Sequence, residues 1–212
     1  EEPNTILLST RPNFIWVKES GNPDQTTITA QVLSQTGQPV GSEMYVQFNI
    51  RNGTGGGETI SPRGESAFKT SPIKAVNGTA HATLKAGTRP GTIEIEATVV
   101  NTAQIRANTT PIVIRSGPPY IYIAPADPHN VEPHMTLTFN IFNKDGWNNV
   151  RKFSPSVYIG DKYNNPVERN TAVYLTSTAG IISTDVLTDN MGEAGAVLSS
   201  ANPRPFVEPN DP

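Results

Sequence analysis

The sequence predicts an all-β protein, two antiparallel sandwiches in tandem, and three observations predict it. No stretch places apolar residues at i, i+3, i+4 and i+7 without a Gly, a Pro or a β-branched run breaking it, so helical signals are nearly missing. Period-two alternation of apolar and polar residues runs through the chain instead, the mark of strands with one face on a core and one in water. Two blocks of sequence then recur in order, which makes the pattern a repeat. The 17 Gly and 19 Pro among 212 residues supply the turns that short strands need.

The elements follow from that alternation. Ile28, Ala30 and Val32 alternate with Thr27, Thr29 and Gln31. Met44, Val46, Phe48 and Ile50 alternate with Tyr45, Gln47 and Asn49. Ala80, Ala82 and Leu84 alternate with Thr79, His81 and Thr83, and Ile93, Ile95, Ala97 and Val99 with Thr92, Glu94, Glu96 and Thr98. Gly37-Gln38-Pro39, Asn77-Gly78 and Arg89-Pro90-Gly91 separate these runs as turns. A return strand is expected near 107–115, and the Gly-rich stretch 51–70 reads as an expanded loop.

The repeat divides the chain. Gln38-Pro39-Val40 recurs as Asn165-Pro166-Val167 at an offset of 127, and the block from Asn77-Gly78 to Leu84 recurs from Met191-Gly192 to Leu198 at an offset of 114. Upstream, Ile6-Leu7-Leu8 before Pro12 matches Tyr122-Ile123-Ala124 before Pro128 at an offset of 116, which puts about 11 surplus residues of the second copy near 143–154. Ser116-Gly117-Pro118-Pro119 marks the boundary, since tandem prolines cannot donate to a ladder and make a stiff connector. The expected domains are 1–116 and 117–212, the second truncated at its C-terminal end, because only Phe206-Val207-Glu208-Pro209-Asn210-Asp211-Pro212 follows the point that matches Arg89-Pro90-Gly91. A partner strand adding to the second domain is one way to complete such a sandwich.

Composition excludes several classes of function. The chain has no cysteine, which removes disulfides, zinc–thiolate sites, iron–sulfur clusters and thiol nucleophiles. A net charge of −3 argues against a dedicated nucleic-acid binder. No apolar run approaches the roughly 18 residues of a membrane helix. Glu1-Glu2 reads as the start of a mature chain.

Taken in order, the turn Gly37-Gln38-Pro39-Val40, Val46, Phe48, Gly78, Ala80, Ala82, Leu84, Pro90-Gly91-Thr92, Ile95 and Ala97 resemble the bacterial immunoglobulin-like (Ig-like) domains of the intimin and invasin type. The second copy carries Asn165-Pro166-Val167, Val173, Leu175, Gly180, Thr188-Asp189, Gly192, Ala194, Ala196 and Leu198. The motifs make sense as folding devices: Pro39 and Pro166 stop a strand at a turn, Gly78 and Gly192 allow a positive φ at a hairpin, and the paired alanines let two sheets approach. The resemblance implies tandem Ig-like sandwiches and a non-enzymatic module of a bacterial surface or secreted protein, outer membrane-associated, acting as a spacer in adhesion. Its implied partners are neighbouring domains of the same polypeptide and a host protein or glycan, with no cofactor and no metal. The alternatives are a ligand-binding module and an accessory region of a larger secreted enzyme.

Candidate chemistry is sparse. His81 falls on an outward strand position, and His129 and His134 flank Val131-Glu132-Pro133, where the prolines forbid a zinc-binding helix. Glu94 and Glu96 share an outward face, and Asp189-Asn190-Met191-Gly192-Glu193 reads as a hairpin held by its Asp before it reads as a calcium loop. Arg51-Asn52-Gly53-Thr54-Gly55-Gly56-Gly57 lacks the Gly-Lys-Ser/Thr of a phosphate loop, and Gly55 and Gly56 are candidates for a binding loop at one end of the sandwich. Tyr120, Tyr122, Phe139, Phe142, Trp147, Phe153, Tyr158 and Tyr163 concentrate in the second copy, and Trp147 and Tyr163 are the candidate ligand contacts among them.

Overall fold

Residues that alternate in the sequence alternate between core and solvent in a computed structural model of the chain, which describes residues 2–62, 68–100, 102, 104–123, 131–133, 135–138, 152–177 and 180–199. The chain divides into two units, Glu1–Gly117 and Pro118–Pro212. Among its described residues the first holds ten strands: β1 (Pro3–Arg11), β2 (Phe14–Trp16), β3 (Gln25–Ser34), β4 (Tyr45–Asn52), β5 (Thr59–Ser61), β6 (Ile73–Lys74), β7 (Thr79–Lys85), β8 (Gly91–Val99), β9 (Arg106–Asn108) and β10 (Ile112–Arg115). One sheet has the order β1-β3-β7-β5; the other has the order β2-β10-β8-β4-β6, with β9 also on β8. Ile28, Ala30, Val32, Val46, Phe48, Ile60, Leu84, Ile93, Ile95 and Ala97 are fully buried, the inner faces of a sandwich closed by apolar packing.

Two expectations in this unit are corrected. The stretch 51–70 is not all loop: Ile60 is buried, which pulls Thr59–Ser61 into the first sheet against β7. Its far end returns along β4, where Ile50 N–H donates to the Phe68 carbonyl and Thr70 Oγ1 accepts from Phe48 N–H. The expected return strand is broken in two. Pro111 has no N–H to give, and the Thr109 hydroxyl takes over a ladder position by accepting from Ile95 N–H at 3.0 Å. β9 and β10 therefore pair with different stretches of β8.

The second unit holds β11 (Ile121–Ile123), β12 (Val131–Pro133), β13 (Met135–Thr138), β14 (Lys152–Phe153), β15 (Ser156–Ile159), β16 (Ala172–Tyr174), β17 (Ile181–Ile182), β18 (Asp185–Leu187), β19 (Glu193–Gly195) and β20 (Leu198–Ser199). Its pairings reproduce the first sheet of the first unit in register. Ala30 faces Ala80 as Val157 faces Ala194, and Gln25 faces Lys85 as Lys152 faces Ser199. Ile60 faces Leu84 as Ile182 faces Leu198. One pair of the larger sheet recurs as well: Val46 faces Ile73 as Val173 faces Val186.

That register corrects the upstream match. Ile6 faces Val32 in β3, and the residue facing the corresponding Ile159 is Met135, an offset of 129. Of Tyr122-Ile123-Ala124, expected at that edge, Tyr122 and Ile123 lie in β11 and face Glu132 and Val131 instead, and Ala124 lies outside the described residues. Counted from the shared first strand, the chain between Thr138 and Ser156 is two residues shorter than between Ser9 and Thr29, so 143–154 holds no surplus. Residues 200–212, on which the expected truncation rests, lie outside the described residues.

Candidate functional site

Each unit is organised at one corner, where the Pro turn meets the Gly hairpin. In the first, Gly37 N–H donates to Ser34 O at 3.0 Å, Ser34 N–H to Gln38 O at 2.8 Å, Val40 N–H to Val32 O at 3.1 Å and Val32 N–H to Gly78 O at 2.7 Å. In the second, Asn164 donates to Asp161 at 2.9 Å, Asp161 to Asn165 at 2.9 Å, Val167 to Ile159 at 3.2 Å and Ile159 to Gly192 at 2.9 Å. Gly78 and Gly192 have φ of 74° and 72°. A Cβ there would meet Val32 O and Val40 N at 3.0 Å in the first unit and Ile159 O at 2.7 Å in the second. Both the sense of φ and the space exclude a side chain.

Tyr163 sits in the second of these corners. Its N–H donates to the fully buried Asp161 at 2.9 Å, and Asp161 Oδ1 also accepts from Asn165 N–H at 2.9 Å. Both carboxylate oxygens take the Asn165 amide, at 3.1 and 3.0 Å. Tyr158 spans the turn by donating its hydroxyl to Asn164 O at 2.8 Å. Burial first, and then the Asp161 carboxylate, push the Tyr158 phenol above its ordinary pKa. The Tyr163 ring is half-buried, with Lys162 Nζ 5.8 Å from its centroid. Trp147, the other aromatic candidate, lies outside the described residues.

Gly55 and Gly56 are brought together in the first unit, against the loop before β8. Thr88 N–H donates to Gly56 O at 2.8 Å, and Thr54 Oγ1 donates to Arg89 O at 3.0 Å. A Cβ on Gly56 would lie 2.5 Å from Arg89 N, and one on Gly87 would lie 2.3 Å from Gly56 C and O, so these glycines let two backbones touch. Gly55 is exposed at φ 76°, with Arg89 Nη1 as its nearest neighbour. Beneath them Glu58 is fully buried. Its Oε1 accepts from Gly56 N–H at 3.2 Å and from Thr54 Oγ1, while Oε2 has no hydrogen-bond partner among the described residues. Sequence reasoning missed Glu58; nothing in a Gly-rich polar stretch signals a buried carboxylate.

The remaining candidates resolve as structure. Asp189 Oδ1 accepts from Met191 and Glu193 N–H at 2.8 and 2.9 Å, the hairpin-holding role. His81 is exposed and pairs with Thr29 Oγ1 at 3.1 Å. Glu94 and Glu96 are half-buried on the outer face of β8. His129, His134 and Asp145 lie outside the described residues, among which no three metal-ligating side chains cluster.

No known family's sequence pattern matches the chain, and no curated protein matches it in sequence. Solved structures do. The chain is similar to the Escherichia coli adhesin FdeC, with a TM-score of 0.55 at 14% identity over 94% of this chain and 56% of that one. It is similar to InvD of Yersinia pseudotuberculosis, with a TM-score of 0.51 at 19% identity over 94% of this chain and 50% of that one. A family 2 glycosyl hydrolase from Bacteroides cellulosilyticus matches over 54% of this chain and 14% of its own at a TM-score of 0.40, which carries no argument. The chain spans about half the length of the two proteins it resembles best in shape among these. The likeness establishes the fold, an all-β architecture of Ig-like sandwiches.

Proposed function

We propose that this chain is a non-enzymatic Ig-like module of a bacterial surface or secreted protein, repeated in series as a spacer in adhesion. The observation that carries the reading is the repetition itself. One sheet and one corner recur in two consecutive units with matching register, and the residues repeated at matching positions include the turn residues Pro39 and Pro166, and Gly78 and Gly192. Serial repetition of a folding unit gives length without chemistry. The surface location rests on the shared fold with adhesins such as FdeC. Small-angle scattering of the full chain tests the spacer: a single extended particle shape is expected, and an ensemble of independently tumbling units counts against it.

A strand supplied to the second unit, by the neighbouring polypeptide or by a partner chain, is a further part of the proposal. Phe48 and Ile60 are fully buried in the first unit, whereas the corresponding Leu175 and Ile182 are half-buried among the described residues. In the first unit β8 covers that region, with Ala97 facing Phe48 and Ile95 facing Ile50. A strand of alternating apolar residues laid on β16 supplies the same cover. A role for Gly55, Gly56, Trp147 and Tyr163 in holding a host protein or glycan is read out by a glycan array with Trp147→Ala as the comparison; no binding by either chain leaves the spacer alone.

A further inference from the structure

The outer face of the first unit's larger sheet carries a groove that the spacer reading leaves unused. Its volume is about 350 Å³, and Arg51, Glu96, Arg106, Ala107 and Asn108 line it. Three strands build it. Asn49 and Asn108 both face Glu96, one from β4 and one from β9, so a carboxylate sits between two amides. Arg51 is an extra residue: Ile50 faces Ile95 and Asn52 faces Glu94, which leaves Arg51 in a bulge. A bulge re-aims its side chain, and here the guanidinium turns to Glu96, at a loose 3.8 Å. Arg106 has no ion pair and no side-chain hydrogen bond among the described residues.

We infer that this groove binds a carboxylated sugar unit, of the uronic or sialic acid class. Two guanidiniums against one carboxylate leave a net positive lining, and most of their N–H donors are unused. A planar fork of donors matches a carboxylate in two parallel hydrogen bonds. Glu96 and Asn108 supply an acceptor and an amide for hydroxyls, a mixture that suits a sugar better than an acidic peptide. Among the described residues the lining has no aromatic ring, so recognition runs through charge and hydrogen bonds, not stacking. The groove is held on paired strands, which fix the two arginines more firmly than a loop would. The inference is independent of the spacer proposal, since a spacer serves as well with or without such a site.

The experiment is a two-dimensional NMR titration of the full chain with D-glucuronate, with glucose, acetate and a poly-glutamate peptide run in parallel. Glucuronate is expected to shift the amides of Glu96, Ala107 and Asn108 saturably in the millimolar range, weakening as salt is added. Glucose should leave them in place. Arg106→Gln is expected to weaken glucuronate at least tenfold, and Arg106→Lys to weaken it less, because the charge stays and the fork goes. Lys18→Gln, which removes a positive charge elsewhere on the same unit, should leave affinity unchanged. Arg106 is exposed, so its variants should keep the parent's unfolding temperature. If Arg106→Gln does not fold, Arg51→Gln gives the same readout. No saturable shift with glucuronate overturns the inference, as does acetate binding as tightly, the acidic peptide binding while glucuronate does not, or Lys18→Gln weakening binding as much as Arg106→Gln.

Discussion

The two corners hold the same backbone with different side chains. Four hydrogen bonds recur between matching atoms, and a left-handed residue occupies the same turn position, Gly37 at φ 80° and Asn164 at φ 61°. Yet the Ser34 hydroxyl at the strand end of the first corner bonds only the neighbouring Thr36 hydroxyl among the described residues, while the Asp161 carboxylate in its place gathers the N–H groups of Tyr163 and Asn165 and the Asn165 amide. What recurs is what sterics demand, and what varies is how the turn's donors are satisfied. The crossing glycine belongs to the first kind. Gly192→Ala and Gly78→Ala should each cost their own unit about 2–4 kcal/mol, from a left-handed φ and a Cβ driven into backbone. Gly192→Ala should cost more, because its nearest contact is 2.7 Å against 3.0 Å. Urea unfolding followed on the amide resonances of each unit measures both. A Gly192→Ala cost below that of Gly78→Ala would break the shared-corner reading.

This division also explains what was legible in the sequence. Alternation and turn residues are local, so β3, β4, β7 and β8 and both hairpin glycines were readable residue by residue. The match of Ile6 to Tyr122 failed because strand pairing is not local: three apolar residues before a proline look alike wherever they fall, and only the register showed that Met135 faces Ile159. Of the candidate ligand contacts, Gly55 and Gly56 were read as a pair and do share a loop, but their packing on Gly87 and Arg89 needs contacts some thirty residues apart. The Arg51–Arg106 groove was invisible for the same reason. It exists only once β9 lies on β8 and a bulge turns Arg51 toward Glu96.

Asp161 tests the second kind of feature. Asp161→Ala removes a buried carboxylate that accepts from two backbone N–H groups of a part-buried turn and should cost about 2–3 kcal/mol. Ser34→Ala, at the matching position, should cost about 1 kcal/mol or less, since the partner hydroxyl of Thr36 has access to water. The same urea series compares them. Equal costs would mean that the turn, and not the carboxylate, holds the second corner.

The smallest expected effect lies on the outer surface beside β4 and β6. Lys74 Nζ reaches Glu43 Oε1 at 3.0 Å, and Tyr45 donates its hydroxyl to the same oxygen at 2.9 Å. The facing pair in the second unit is Ala172 and Leu187, with nothing to titrate. The Lys74 hydrogen bond first, and then that of Tyr45, hold the Glu43 carboxyl below its ordinary pKa, and the Lys74 ammonium is correspondingly raised. A depressed carboxyl contributes stability that is present above its unfolded pKa and is lost as pH falls through the folded value; a raised amine loses its share only as pH rises through its own folded value. Lys74→Leu, which copies the second unit, should therefore lower the first unit's urea midpoint slightly at neutral pH. Because both side chains are exposed, added salt should shrink the difference. It should close below the ordinary carboxylate range, while the second unit's midpoint is unmoved at either pH. A difference between parent and variant that persists in acid would assign the effect to the packing of the Lys74 stem on the sheet rather than to its charge.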